Sequence, residues 1–355
     1  MSKVSDQAIR AFFLTCDTST ITSYIQELQK SLQKFSENNS IIPNRVLQST
    51  SISDVLHIYM PVIDDFYSGM KSLTYNPNNK KGFVGTIMIT DPNDGTLKGL
   101  LDAKEITGVR TAMMSCIAIL NHLSEYINTG DRSLNVTLFG TGLQAFWHVF
   151  ILLRLYSPSC LDVKVVNINV LYRSNELDVT ELKHYLEDFP CPINISQRNW
   201  DDTGVPIIVS TSNIIFGCTP TDRPHLFYKD LLFSSDDMEG EIELDRKTYI
   251  SLIGSYKPEM HECDGLLIQK FLYSDVKIIV DSKTHTLLEA GELISSGVKA
   301  EHLIELGQLD TSRYDSLPLL TTMENVHKKI TLCKVVGLAI LDIALAKKYL
   351  SKHKK

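Results

Sequence analysis

The sequence of 355 residues lacks the features that would mark several classes of protein. Its seven cysteines form no Cys-x-x-Cys pair and are odd in number, which argues against a disulfide framework and against a zinc site. A formal net charge of -7 and the absence of a basic stripe argue against a nucleic-acid partner. No metal is expected, because His148 and His261 lack the spacing of a metal-binding pair.

Long apolar runs are also missing from the chain. The most apolar predicted helix, Phe146 to Tyr156, is too short to span a membrane and contains His148 and Arg154. The N-terminus lacks the charged and then apolar order of a signal peptide. We therefore expect a cytoplasmic protein without a membrane partner.

A glycine-rich turn is the most informative feature that is present. An apolar run of β type beginning at Val136 leads into this turn, and a predicted helix, 145–156, follows it directly. In dinucleotide-binding turns one glycine allows a tight turn, a second lets the backbone approach the pyrophosphate, and the helix amides face the phosphates. The predicted nucleotide-binding residues are Gly140, Thr141, Gly142, Leu143, Gln144 and Ala145.

The next predicted strand, 164–171, indicates which nucleotide is bound. NAD-preferring sites usually place Asp or Glu after this strand, where the carboxylate binds the ribose 2′-hydroxyl. Here Arg173 and Ser174 offer donors that suit a 2′-phosphate, which favours NADP(H) over NAD(H). The alternative is that Arg173 is simply a solvated residue at a strand end, and the nearby Glu176 keeps that alternative open.

Hydrophobic patterning predicts an α/β fold in which a β-rich first part precedes a doubly wound parallel sheet of the Rossmann type. The first part has predicted strands at 12–14, 55–60, 69–75, 84–90 and 99–101, and predicted helices at 21–35 and 105–126. Alternating strands and helices then run from residue 128 to about residue 308. Later strands are predicted at 207–210, 249–254 and 276–281, and a long closing helix at 328–350.

Three cations of the first part stand in unusual settings. Arg45 precedes a predicted strand, Lys71 lies inside one, and Arg110 is near the start of a helix. Each taken singly is explained equally well by a structural salt bridge or a solvated side chain. Together with a hydride-carrying cofactor, they predict a pocket for a substrate carboxylate.

These motifs resemble those of the ornithine cyclodeaminase/mu-crystallin family over nearly the whole chain. The matching stretches are Pro43-Asn-Arg45, Gly69-Met-Lys71, Thr107-Gly-Val-Arg110-Thr111-Ala112, the turn from Gly140 to Ala145, Thr219-Pro220, Glu289-Ala-Gly291-Glu292, and Lys334-Val-Val-Gly337 with Asp342. The resemblance implies a homodimer. It also implies an α+β substrate-binding and dimerisation domain of residues 1–127 with 325–355, and a Rossmann NAD(P)-binding domain of residues 128–324.

The resemblance further implies that Arg45, Lys71 and Arg110 hold the α-carboxylate of a small imino or amino acid beneath the nicotinamide ring. The chemistry shared by the family is hydride transfer between the nicotinamide and the substrate's α-carbon, which depends mainly on orientation. Besides the turn, the implied cofactor-binding residues are Arg110, Thr111, Thr219 and Gly254.

One position departs from the family pattern. Ornithine-converting members carry an aspartate in a Gly-x-Asp-x-Pro segment, where this chain has Tyr256 between Gly254 and Pro258. A neutral phenol does not stabilise a second ammonium as a carboxylate does, so a diamino substrate is disfavoured. Tyr256 and Lys71 are the candidate catalytic proton donors. The alternative for Tyr256 is packing beside the nicotinamide ring.

Three functions remain open at this point. The leading hypothesis is an NADPH-dependent oxidoreductase acting on the C=N or CH–NH bond of a small imino or amino acid. The alternatives are an ornithine cyclodeaminase and a non-catalytic, mu-crystallin-like protein that binds NADPH and a ligand. An intact cofactor turn is compatible with all three functions and does not distinguish them.

Overall fold

The computed structural model describes residues 3–51, 54–78, 82–156, 163–233, 246–322 and 327–353. The chain divides into two compact units, Met1–Met114 with Gly337–Lys355, and Ser115–Val336. The boundaries between these units follow residues 114 and 336, whereas the sequence analysis placed them after residues 127 and 324. The second unit extends to residue 336 because its sheet recruits a strand from the segment that was predicted to be a closing helix.

The first unit is an antiparallel sheet with helices. Its elements are α1 (Asp6–Thr15), α2 (Thr18–Glu37), β1 (Val46–Ser49), β2 (Leu56–Ile63), β3 (Ser68–Tyr75), β4 (Phe83–Thr90), β5 (Leu97–Asp102), α3 (Lys104–Cys116), which runs just past the boundary, and α11 (Ala339–Lys352). The strands lie in the order β1-β2-β3-β4-β5, and α11 packs on β2, β3, β4 and α2. Residues 339–352 thus belong to this unit although they are distant in sequence.

Sequence patterning explains the helices of this unit, with one correction. In α2, apolar residues at helical spacing are buried, and the Asp17 side chain accepts a hydrogen bond from the amide of Thr20 at 2.7 Å. The strand predicted at 12–14 is wrong, because these residues end the helix α1. Ser5 caps α1, and Phe13 lies one turn from Ile9 on its buried face.

The second unit is built on a parallel sheet. Its elements are β6 (Ser133–Phe139), α4 (Leu143–Leu155), β7 (Val165–Tyr172), α5 (Thr180–Tyr185), β8 (Ile193–Asn199), α6 (Val205–Thr211), β9 (Ile214–Gly217), α7 (Tyr228–Leu231), β10 (Arg246–Leu252), α8 (Gly265–Tyr273), β11 (Ile278–Val280), α9 (Lys283–Glu289), α10 (Gly291–Ser295), β12 (Leu303–Glu305), β13 (Leu320–Thr322) and β14 (Lys328–Lys334). The strand order is β12-β11-β14-β10-β9-β6-β7-β8, with β13 antiparallel to β14. The predicted α/β fold with a Rossmann-like parallel sheet is confirmed.

The strand order places a reversal beside β6. The chain moves outward from β6 through β7 to β8, and then returns to the other side of β6 with β9. In doubly wound sheets, ligands bind outside the carboxyl ends of the strands at such a reversal. The loops after β6, β7, β9 and β10 all leave the sheet at this edge, because the strands are parallel.

Three further predictions about elements are wrong in the second unit or at its edge. Residues 207–210 lie in the helix α6, and the strand is the following run, β9. Residues 328–334 form the strand β14, with only 339–352 helical. The helix predicted at 105–126 ends at Cys116 and continues as short 3₁₀ turns. Short, fully apolar runs carry no periodicity that separates a buried strand from a buried helix.

Candidate functional site

The glycine turn closes the carboxyl end of β6. Gly140 has a φ of +123°, a conformation that favours glycine, and a Cβ at this position would lie 2.5 Å from Thr219 Oγ1. The Thr219 hydroxyl donates a hydrogen bond to the carbonyl oxygen of Phe139 at 2.9 Å. The structure thus brings the predicted residues Gly140 and Thr219 into contact, and the turn cannot accept a side chain at Gly140 without moving.

The start of α4 has the form of an anion-binding helix terminus. Gly142 is the N-cap and provides no side chain to bond the first amides of the helix. A Cβ on Gly142 would meet no atom within 4 Å, so the space next to this backbone is open. Ala145 is fully buried, while Thr141, Leu143 and Gln144 are half-buried. These residues fit a dinucleotide whose pyrophosphate lies against the helix terminus.

The predicted 2′-phosphate residues follow β7 at the same edge. Arg173 and Ser174 are exposed, and Asn199 Nδ2 donates a hydrogen bond to the Arg173 carbonyl oxygen at 3.2 Å. The Arg173 side chain lies against the ring of Trp200, with Cζ 5.7 Å from the ring centroid. Within the described part of the chain, Arg173 forms no salt bridge, with Glu176 or with any other carboxylate.

Behind the segment from Gly254 to Tyr256 lies a buried charge cluster that the sequence analysis missed. Lys334 Nζ lies 2.6 Å from Glu262 Oε2 and 2.9 Å from Glu292 Oε1. Glu262 Oε2 also accepts the amide of Gly254 at 2.7 Å. Burial raises the pKa of Glu262, whereas the two carboxylates outweigh burial and raise the pKa of Lys334. The cluster fixes the backbone that carries the half-buried Tyr256.

The first unit brings two of the three predicted cations onto one carboxylate. Lys71 Nζ lies 2.7 Å from Asp342 Oδ1, and Arg110 Nε lies 3.3 Å from the same oxygen. The Lys71 ammonium also donates to Thr107 Oγ1 at 2.7 Å. Lys71, Arg110 and Asp342 are all buried, and Asp342 Oδ2 has no hydrogen-bond partner among the described residues.

The third predicted cation, Arg45, acts on Lys71 through its charge. Burial lowers the pKa of Lys71 from 10.5 to about 8; Asp342 opposes the change, while Arg110 and then Arg45 add to it. Arg45 is half-buried, at the start of the sheet. We call Arg45, Lys71, Arg110 and Asp342 the cation cluster.

Two other residues complete this region of the first unit. Gly337 has a φ of +90°, and a Cβ there would lie 3.1 Å from a terminal nitrogen of Arg110, so the glycine makes room for the guanidinium. Thr111, predicted to bind cofactor, is buried on α3 next to Arg110. Asp342 was matched to the family pattern without a role. The sequence feature that could have identified Asp342 is its position as the one acidic residue in the apolar first part of α11.

The described ranges contain no group of three or more His, Cys, Asp or Glu side chains that would hold a metal ion. No helix in these ranges combines the length and apolarity needed to span a membrane.

Comparison with known proteins places this arrangement in a family. The chain is 40% identical to an uncharacterized protein of Saccharomyces cerevisiae over 370 aligned positions, covering 100% of this chain and 98% of the relative. It is 25% identical to a Delta(1)-pyrroline-2-carboxylate reductase of Bacillus thuringiensis, covering 89% of this chain and 87% of that protein.

A solved structure shares the fold. The Delta(1)-pyrroline-2-carboxylate reductase of Thermococcus litoralis, in complex with NADH and L-proline, matches with a TM-score of 0.68 and 20% identity, covering 99% of this chain and 97% of that one. The model of the ornithine cyclodeaminase/mu-crystallin family matches residues 15–354, which is nearly the whole sequence. This chain therefore belongs to the ornithine cyclodeaminase/mu-crystallin family.

Proposed function

We propose that this protein is an NAD(P)H-dependent oxidoreductase that acts on the C=N or CH–NH bond of a small imino or amino acid. The observation that carries the proposal is the cation cluster, in which Lys71 and Arg110 share the carboxylate of Asp342 and Arg45 adds a third positive charge that acts on Lys71. The names of the Bacillus and Thermococcus relatives, both pyrroline-2-carboxylate reductases, support a cyclic imino acid as the substrate class.

The charge balance of the cluster favours an anionic ligand. Lys71 and Arg110 share Asp342 Oδ1, so the single carboxylate leaves positive charge uncompensated in a buried setting. Buried charge without a partner is costly, and a substrate carboxylate would offset it while fixing the adjacent α-carbon in place. Arg45 and Arg110 offer guanidinium donors suited to a carboxylate, and Gly337 leaves room for the guanidinium of Arg110.

Lys71 is the preferred proton donor in this proposal. Reduction of an imine adds hydride to carbon and a proton to nitrogen. A lysine with a pKa of about 8 is mostly protonated at neutral pH and gives up its proton far more readily than an ordinary lysine. Tyr256, held by the Glu262 and Lys334 cluster, is the second candidate, and its phenol does not favour the diamino substrate of a cyclodeaminase.

A nicotinamide cofactor would be held by the turn from Gly140 to Ala145, with Thr219, Gly254, Arg110 and Thr111 as the further predicted contacts. When bound, it supplies the hydride. The preference for NADP(H) rests on Arg173, whose guanidinium is exposed and forms no salt bridge within the described ranges, and on the neighbouring Ser174.

The proposal includes a homodimer formed through the sheet of the first unit. Val46, Tyr59 and Val84 project from the face opposite Lys71 and are 53%, 39% and 54% exposed. Exposed apolar patches of this kind mark interaction surfaces. A lysine in place of Val84 is expected to shift the protein towards monomer in sedimentation analysis, with cofactor binding retained; an unchanged dimer would place the interface elsewhere.

The test of the function is oxidation of NADPH and NADH in the presence of 1-pyrroline-2-carboxylate or 1-piperideine-2-carboxylate. Turnover that is lost in Lys71→Ala while cofactor binding is kept would support the oxidoreductase. Formation of proline and ammonia from ornithine would favour a cyclodeaminase instead. Tight cofactor binding without turnover on any of these substrates would favour a binding protein.

A further inference from the structure

A stack of rings lies at the carboxyl edge of the parallel sheet, beside the glycine turn. The ring of Phe139, the last residue of β6, has its centroid 4.4 Å from that of the His225 ring, at an interplanar angle of 41°. His225 stacks on Trp200 at 5.4 Å and 8°. The Arg173 guanidinium covers the Trp200 ring from 5.7 Å. The stack therefore runs Phe139, His225, Trp200 and Arg173, from the buried core to the exposed surface.

The inner members of the stack form a rigid, uncharged support. His225 is 7% exposed, and both of its ring nitrogens lack a hydrogen-bond partner among the described residues. Burial, and then the charge of Lys334, lowers the pKa of His225 to about 3, so the imidazole is neutral at ordinary pH. Trp200 is half-buried and packs on a cluster of buried apolar residues in this unit.

The outermost member is fixed at two points. Tyr172 and Asn199 pair at the ends of β7 and β8, and the Asn199 side chain holds the carbonyl oxygen of Arg173. Cation–π contact with Trp200 then limits the rotamers of the guanidinium. No described carboxylate forms a salt bridge with Arg173, so its hydrogen-bond donors stay available to an anion from outside the protein.

We infer that Trp200 determines the preference of this protein for a 2′-phosphorylated adenine nucleotide, by holding the Arg173 guanidinium at the edge of the glycine turn. This inference rests on the proposed function, in which the turn binds a nicotinamide cofactor. Trp200 acts through Arg173 and is a positioning residue. Loss of the indole face frees the arginine to adopt other rotamers, which weakens binding of a 2′-phosphate and leaves a free 2′-hydroxyl nearly unaffected.

The test measures binding by calorimetry and needs no turnover. The ligands are NADPH and NADH, and the fragments adenosine 2′,5′-bisphosphate and adenosine 5′-monophosphate. Trp200→Leu is expected to weaken NADPH and the bisphosphate by about 3- to 10-fold, with NADH and the monophosphate changed by less than about 2-fold. Trp200→Phe keeps an aromatic face, so it is expected to retain most of the wild-type difference in affinity between NADPH and NADH. His225→Phe is the matched control, because it retains a ring behind Trp200.

The outcomes separate this inference from the proposed function. If Trp200→Leu weakens the binding of NADPH and NADH equally, and that of the bisphosphate and the monophosphate equally, the role of Trp200 is overturned. A variant that binds all four ligands as tightly as the wild type would overturn it as well. Wild-type protein that binds NADH at least as tightly as NADPH would also overturn it, while leaving a nicotinamide-dependent reaction in place. Wild-type protein that binds neither cofactor would overturn both.

Discussion

Replacing Asp342 by asparagine is the sharpest perturbation of the cation cluster, because it removes the charge and keeps the shape of the side chain. The side chains of Lys71 and Asp342 are 1% and 0% exposed. Removal of one partner from a buried ion pair typically costs about 3–5 kcal/mol. Lys71 limits its own share of this cost to about 1.4 kcal/mol, because with a pKa of about 8 it loses its proton that easily at pH 7. The remainder falls on Arg110, which also loses its partner and stays charged. We expect Asp342→Asn to lower the free energy of unfolding at pH 7 by about 3–5 kcal/mol.

The pH dependence separates this electrostatic cause from a simple loss of packing. In the wild type the pKa of Lys71 is lowered from 10.5 to about 8, so between these values the unfolded chain binds more protons than the folded one. Stability arising from this group therefore rises with pH through that window. Without Asp342 the folded pKa falls further and the window opens at lower pH. The difference in stability between wild type and variant should narrow by about 1 kcal/mol from pH 7 to pH 8.

Urea denaturation of the wild type and Asp342→Asn at both pH values measures this effect. Adding Lys71→Met to the variant removes one of the two buried cations that Asp342 neutralises, so the double variant should recover part of the lost stability and lose the extra pH dependence. A stability difference that is the same at both pH values would refute the electrostatic explanation. So would a double variant as unstable as Asp342→Asn alone.

Other predictions concern the second unit. Gly142→Ala should leave the melting temperature unchanged, since its Cβ meets nothing within 4 Å, yet weaken NADPH binding by about tenfold or more, because the methyl group occupies the space proposed for the pyrophosphate. Gly140→Ala, at a φ of +123°, should instead lower the free energy of unfolding by about 1–3 kcal/mol in the same thermal assay. Equal changes in stability in the two variants would contradict the different roles proposed for the two glycines. Lys334→Met leaves Glu262 and Glu292 without a cation and should raise the pKa of Glu262 further above its wild-type value of about 7, so the stability that the variant loses should shrink as pH falls from 9 to 7. A loss independent of pH in urea denaturation would show that the carboxylates are not its cause.

The parts of the fold that were predictable from sequence are those with a strong local signal. Strand β2 and the second half of β4 alternate between buried and less buried positions, and α2 has apolar residues at helical spacing behind a capping aspartate. The glycine turn follows from the residue types that its conformation demands, as the positive φ of Gly140 shows. Strand β14 was missed because it is buried on both faces in the middle of the sheet and so lacks alternation.

The chemistry of the site was only partly predictable, for a different reason. Sequence could single out Lys71 and Arg110 as cations in apolar surroundings, but not their shared partner. Asp342 lies 271 residues from Lys71 along the chain and reaches it only because α11 returns to the first unit. The partnership of Lys334 with Glu262, and of Trp200 with Arg173, likewise depends on how strands line up across the sheet. No local pattern encodes such pairs.

The most direct test of the cation cluster as a carboxylate site compares two substrates that differ only in that group. NADPH oxidation by the purified protein would be followed with 1-pyrroline-2-carboxylate and, in parallel, with 1-pyrroline, which has the same ring and imine but no carboxylate. We predict turnover with the first compound, at least about a hundredfold lower kcat/KM with the second, and near equality of the two when Arg110 is replaced by Leu. Equal turnover of both compounds by the wild type, or turnover of neither, would contradict the proposed function.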